Sequence, residues 1–82
     1  MSQDSLRQIL SAQLGPAYPP SYFSTETEML GSIPELDSMA VVGILAAIEE
    51  STGISISDDE VSADVFATFG SLAAFVESQA GG

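Results

Sequence analysis

The chain has 82 residues, with twelve Asp and Glu against one basic residue and a formal charge of −11 at pH 7. A length of 82 suits one domain, residues 1–82, whose thin core favours a compact helical fold over many long-range pairings. The charge argues against nucleic acid or anionic membranes as partners, because both reward Lys and Arg, and it suits a basic protein surface instead.

The N-terminal stretch Met1–Arg7 carries Asp4 and no apolar run, so no signal peptide is expected. Ser2 to Leu14 is predicted as the first helix, because Leu6, Ile9, Leu10 and Leu14 share one face. Ser2 or Asp4 can cap it, and Gly15-Pro16 ends it.

Gly15 to Leu36 is a 22-residue connection interrupted by Pro16, Pro19, Pro20 and Pro34. Loops of that length in compact domains are usually functional or locally ordered. Tyr18, Tyr22 and Phe23 are expected to pin it to the helices by ordinary packing. Thr25-Glu26-Thr27-Glu28 has capping-box spacing, so a helical turn is expected over Glu26–Leu30. Leu30, Ile33 and Leu36 offer apolar anchors after it.

Ser38 to Glu50 is the second helix, with Asp37 as its N-cap and Ser51-Thr52-Gly53 as its end. Val41, Ile44, Leu45 and Ile48 are expected in the core. Met39, Val42, Gly43, Ala46, Glu49 and Glu50 fall on the other side. That side is small or apolar for two turns before it becomes acidic, whereas a face meeting only solvent is normally polar throughout. Gly43 also costs about 1 kcal/mol relative to Ala inside a helix. A docking surface accounts for both features; fuller burial of the helix is the alternative.

Ile54 and Ile56 alternate with serines and can turn inward. Ser57-Asp58-Asp59-Glu60 has capping-box spacing and predicts a short third helix within Asp58–Phe66, burying Val61, Val65 and Phe66. A last helix is expected over Gly70–Ser78, burying Leu72, Phe75 and Val76, with Ala80-Gly81-Gly82 frayed. No repeats or convincing strands are present. The expected fold is all-α: a small four-helix bundle with a short third helix and a long first loop. The longest apolar run, Met39–Ile48, is roughly ten residues and too short to span a bilayer. A soluble, cytoplasmic monomer without membrane insertion is expected.

His, Cys and Lys are all absent. The usual neutral-pH bases and strong nucleophiles are therefore missing, as are His and Cys ligands for zinc. Catalysis by this chain alone is not expected. Asp58-Asp59-Glu60 lacks the ligand spacing of an EF-hand, and an acidic helix start explains it more cheaply than a metal site. Ser38 stands where a helix best tolerates anions, because its first N–H groups are unpaired and the macrodipole is positive there. A serine at a helix start is usually only a cap. This one follows a long accessible loop and an acid, precedes an apolar face, and has no base to activate it. Those features favour a serine that accepts a group from another enzyme.

Leu36-Asp37-Ser38-Met39, followed by the Val42–Glu50 helix, resembles the phosphopantetheine attachment motif of acyl carrier proteins. The resemblance covers most of the chain, including the acidic Ser57–Glu60 segment and the Phe66–Val76 run. It implies a carrier and not an enzyme. Ser38 would receive 4′-phosphopantetheine from coenzyme A through a separate phosphopantetheinyl transferase using Mg²⁺. The arm's thiol would then hold an acyl or aminoacyl group as a thioester, so the cofactor supplies the thiol that the chain lacks. Asp37 matches the motif's acid, Met39 and Val42 its apolar partner contacts, and Glu49, Glu50, Asp58 and Asp59 the acids that meet basic docking surfaces. Ala46 extends the docking face. The implied partners are the transferase and acyl- or aminoacyl-loading and transferring enzymes.

Two departures matter. Met39 stands where the family usually has Leu, and Met39–Ile48 carries none of the acids typical of bulk fatty acid carriers. A dedicated partner set is expected, as for polyketide, nonribosomal-peptide or exopolysaccharide-linked carriers. The alternative reading is an unmodified acidic helical adaptor for a basic protein.

Overall fold

Leu6, Leu10 and Leu14 recur one turn apart and are all buried, which commits the first helix, α1 (Gln3–Leu14), to the interior. The computed structural model describes residues 2–57 and 60–81. Ser2 is the α1 cap, its Oγ accepting the Ser5 N–H at 3.1 Å. Asp4 does not cap the helix; its Oδ1 accepts from Arg7 Nη1 at 2.8 Å. Arg7 supplies the chain's single basic side chain, and it reaches two further elements. Its Nε donates to the Phe23 carbonyl at 2.7 Å, and the guanidinium lies 5.0 Å from the Phe69 ring centroid.

The long connection is locally ordered. A 3₁₀ turn at Pro20–Tyr22 begins on a proline, whose fixed φ suits a helical first residue. Phe23 is buried, whereas Tyr22 is exposed and Tyr18 half-buried, so the pinning expected of three aromatics falls mainly on Phe23. The helical turn expected over Glu26–Leu30 does not form. Thr27 instead closes a turn on Ser24, its N–H donating to the Ser24 carbonyl at 3.0 Å and its Oγ1 accepting the Ser24 N–H at 2.8 Å. The strand-like run that follows lies against residues 66–70. Met29 N–H donates to Ala67 O and Leu30 N–H to Phe66 O, both at 2.9 Å. Phe69 N–H returns to Thr27 O at 2.9 Å and Gly70 N–H to Thr25 O at 3.0 Å. Glu28 and Thr68 form an isolated antiparallel bridge at the centre. A lone helical turn leaves most of its own N–H groups unpaired, and this pairing satisfies two of them, Met29 and Leu30, together with the Thr25 and Thr27 carbonyls.

The second helix, α2, spans Ser38–Thr52 and packs on α1. Gly53 ends it in the left-handed conformation, at φ +76°, with its N–H on the Glu49 carbonyl at 2.8 Å. Ile44, Leu45 and Ile48 are buried as expected, and Val41 is half-buried. The third helix, α3, spans Phe69–Gly81, longer at both ends than the expected Gly70–Ser78. Thr68 and Ser71 explain the earlier start: each hydroxyl accepts the other's backbone N–H, at 3.0 and 3.1 Å. Leu72 and Val76 are buried, Phe75 only half-buried, and Phe69 fully buried.

The short third helix expected within Asp58–Phe66 is not formed by the described residues; Asp58 and Asp59, where it would begin, lie outside them. Val65, Phe66 and Ala67 make successive i to i+3 bonds back to Ser62, Ala63 and Asp64, which are turns and not an α-helix. Two β-branched valines and the Ser and Asp residues are poor helix formers. The Val65 carbonyl is also taken by Ser71 Oγ at 2.8 Å. Among the described residues there are thus three α-helices and one 3₁₀ turn, not four helices. Of the three residues expected in the core, Phe66 is buried, whereas Val61 and Val65 are half-buried; Ile56, before the segment, is buried.

Two helical glycines have opposite environments. A Cβ on Gly43 would meet only the tip of the Gln13 side chain on α1, which can swing away. A Cβ on Gly70 would come to 2.6 Å from the Thr25 carbonyl oxygen, a main-chain atom already held by the Gly70 N–H. Gly43→Ala is expected to raise unfolding stability by up to about 1 kcal/mol. Gly70→Ala is expected to lower it by about 1–3 kcal/mol through overpacking. Urea denaturation of the two variants checks the opposite signs.

Candidate functional site

The site is the entrance to α2. Asp37 has extended backbone geometry, and its Oδ1 accepts the Ala40 N–H at 2.9 Å. Its carbonyl accepts the Val41 N–H at 3.0 Å, the first bond of the helix. Asp37 is therefore the N-cap that its position before an apolar run predicts. Ser38 is the first helical residue and is exposed. Leu36, just before them, is buried and anchors the loop end.

A cleft of about 540 Å³ opens beside the serine, and Asp37 and Ser38 line it together with Leu30, Leu36, Val42 and Val61. Its walls come from the long loop, from α2 and from the segment after α2. Leu30 was expected as an anchor, yet it is 42% exposed and forms a wall. Val61 is half-buried at the same cleft. Neither role could be read from spacing, because these two residues meet Ser38 only through the tertiary fold.

Along α2, Met39 is 83% and Val42 65% exposed, and Ala46 and Glu50 are also exposed. Gly43 does not share that outer face; it is half-buried towards Gln13 of α1. Glu49 is half-buried, and its Oε2 accepts the Ile56 N–H at 2.6 Å. That bond closes the loop after α2 back onto the helix. Asp58 and Asp59 lie outside the described residues.

A further contact escaped the sequence reading. Tyr18 Oη donates to Glu35 Oε1 at 2.7 Å, joining the two ends of the long connection. Glu35 in turn accepts the Asp37 N–H on its carbonyl at 3.0 Å. The hydrogen bond to Glu35, followed by burial and the negative charge of Glu35, holds the Tyr18 hydroxyl above its ordinary pKa of 10.0. The partners are 17 residues apart in the chain, beyond the reach of any helical or strand period.

Among the described residues no group of three or more Asp and Glu converges as a metal site, and no helix is long and apolar enough to cross a membrane. No family model matches the chain. No curated protein matches it either. A solved structure does. The holo acyl carrier protein of Nitrosomonas europaea, determined by solution NMR, superposes with a TM-score of 0.85 and is 42% identical, covering 98% of this chain and 96% of its own.

The chain belongs to the acyl carrier protein family. Proteins of this family are carriers and not enzymes, in keeping with a chain that has no His, Cys or Lys. The three helices described here, with the long loop ahead of α2, are the all-helical carrier architecture. The Asp37–Ser38 step lies at the start of the carrier's second helix.

Glu49→Ala is expected to leave the Ile56 N–H unpaired and lower stability by about 1–3 kcal/mol. Amide exchange at Ile56 should accelerate, and Glu49→Gln, which retains an acceptor, should lose less. Tyr18 gives a second check. A raised folded-state pKa means that the tyrosine contact favours the folded carrier below pH 10 and is lost as pH rises through the raised value. Ultraviolet titration of Glu35→Gln should move the Tyr18 midpoint back down towards the ordinary value.

Proposed function

We propose that this carrier, a single domain over residues 1–82, holds 4′-phosphopantetheine on Ser38 and delivers acyl or aminoacyl groups to partner enzymes. The observation that supports this most directly is an exposed serine, the first residue of a capped helix, beside an apolar cleft. A phosphopantetheinyl transferase would join the Ser38 hydroxyl oxygen to the phosphorus of the phosphopantetheine half of coenzyme A. The bond to the adenosine 3′,5′-bisphosphate half breaks, and the serine proton passes to the transferase.

The residues present suit that group. A phosphodiester on Ser38 would sit at the positive end of α2, where unpaired N–H groups and the helix dipole favour an anion. Asp37 keeps the helix start rigid through its bond to Ala40 and leaves the hydroxyl outside. The terminal thiol of the arm, when present, carries the acyl group as a thioester. Leu30, Val42 and Val61 offer the arm or its cargo an apolar surface at the point of attachment.

Met39, Val42, Ala46 and Glu50 form the face that partners meet, with Asp58 and Asp59 as further acids. Glu49 contributes by fixing the loop behind α2. The charge of −11 attracts partners with basic surfaces from a distance. A cytoplasmic monomer serving a dedicated partner set, in fatty acid or polyketide-type biosynthesis, fits the composition and the uncharged Met39–Ile48 run. Intact mass spectrometry after incubation with coenzyme A, Mg²⁺ and a broad-specificity transferase tests the attachment. One phosphopantetheine per chain is expected, and none on Ser38→Ala. A folded, unmodified wild-type chain would favour the adaptor reading instead.

A further inference from the structure

The chain just ahead of Ser38 is held by few contacts. Leu36 is buried, while Glu35 and Asp37 on either side of it are exposed. Leu36 N–H donates to Ile33 O and Asp37 N–H to Glu35 O, both at 3.0 Å, and both bonds are local. Pro34 has no N–H to give. Among the described residues, the Tyr18 Oη bond to Glu35 Oε1, at 2.7 Å, is the one hydrogen bond that ties residues 34–37 to chain outside 33–41.

Tyr18 is itself well fixed. Its N–H donates to the Gly15 carbonyl at 3.1 Å, at the end of α1. Its ring meets Tyr22 edge-on with centroids 5.1 Å apart, and Tyr22 meets the buried Phe23 in the same way at 5.2 Å. Aromatic pairs of this spacing and tilt attract. Arg7 fastens Phe23 in turn through its carbonyl. A continuous series of contacts therefore runs from α1 and the core through Tyr18 to Glu35, two residues short of the α2 cap.

The helix start has use for such a tie, because terminal turns open at little cost in free energy. Asp37 caps α2 only while its extended backbone keeps the carboxylate on Ala40 N–H. With residues 34–37 loose, cap and serine would sample several arrangements, and a partner would have to order them on binding.

From this we infer that Tyr18 is a positioning residue for the modification of Ser38. Acting through Glu35, its hydroxyl keeps the Asp37–Ser38 step in the arrangement that a phosphopantetheinyl transferase binds. The inference rests on the carrier reading of Ser38. Apparent affinity scales with the fraction of carrier in the competent arrangement. Losing the tie therefore raises the KM for the carrier, whereas kcat, reached with the loop ordered on the enzyme, stays the same.

Tyr18→Phe removes only the hydroxyl, and Glu35→Ala removes its acceptor. Initial rates of phosphopantetheine addition to the full-length chain, read by intact mass over a range of carrier concentrations, separate KM from kcat. Each variant is expected to raise KM about fivefold, the ratio that one exposed hydrogen bond supports, with kcat within about twofold of wild type. The double variant should match either single one, because both break the same bond. Glu35→Gln keeps an acceptor while losing the charge, and its KM should stay within about twofold of wild type. Amide exchange at Asp37 should accelerate in Tyr18→Phe. Ser2→Ala, which uncaps α1 and lowers stability, should leave KM unchanged. An equal KM rise in Ser2→Ala, additive losses in the double variant, a fall in kcat alone, or wild-type values throughout would overturn the inference. An unmodified wild-type chain would overturn the attachment reading as well, so the two failures are distinguishable.

Discussion

The placing of Ser38 depends on how the chain between α1 and α2 is held down. Four main-chain hydrogen bonds join Thr25, Thr27, Met29 and Leu30 to the stretch from Phe66 to Gly70. Without them, a proline-rich connection of this length would carry many unpaired amides and little reason to hold one shape. With them, Phe23, Met29, Ile33 and Leu36 are carried into the core, and the loop arrives at Asp37 from a defined direction. Arg7 strengthens the same junction by reaching both the Phe23 carbonyl and the Phe69 ring. The chain's one cation thus works inside the fold, and the surface is left strongly acidic.

The serine is presented by a division of labour along α2. Ile44, Leu45 and Ile48 hold the helix to the core, Asp37 and Gly53 close its two ends, and Glu49 draws the following loop back to it. What remains outward is a short, uncharged stretch beginning at Ser38, the residue proposed to receive the cofactor. A flexible arm attached to a rigid helix end can visit several active sites while the recognised surface stays the same. Such a carrier needs no catalytic group of its own, and this one has no His, Cys or Lys.

Close approach of backbone explains the glycines better than flexibility does. Gly70 is required because the Thr25 carbonyl lies against it, and this contact belongs to the same junction that orders the long loop. Gly43 meets only a mobile amide, so α2 tolerates it without needing it. One sequence feature, a glycine in a helix, therefore has two meanings, and only the neighbours distinguish them.

The amino-acid sequence alone determined the local features. The leucine spacing of α1, Asp37 before an apolar run, the core phase of Ile44, Leu45 and Ile48, and the absence of His, Cys and Lys are properties of adjacent residues or of composition, and the carrier reading of Ser38 came from the resemblance of the motif around it. Tertiary structure decided whatever depends on partners distant in sequence. Capping-box spacing at Thr25–Glu28 pointed to a helical turn, but residues 66–70 offered better partners for those amides. Spacing after Ser57 pointed to a short third helix, where the described residues make turns and the Val65 carbonyl is taken by Ser71. Glu49 read as a free docking acid until Ile56 claimed it, and the cleft at Ser38 exists only because Leu30 and Val61 arrive from opposite sides of α2 in sequence. Propensity and periodicity carry information over a few residues, while a backbone amide is satisfied by whichever acceptor the whole fold brings to it.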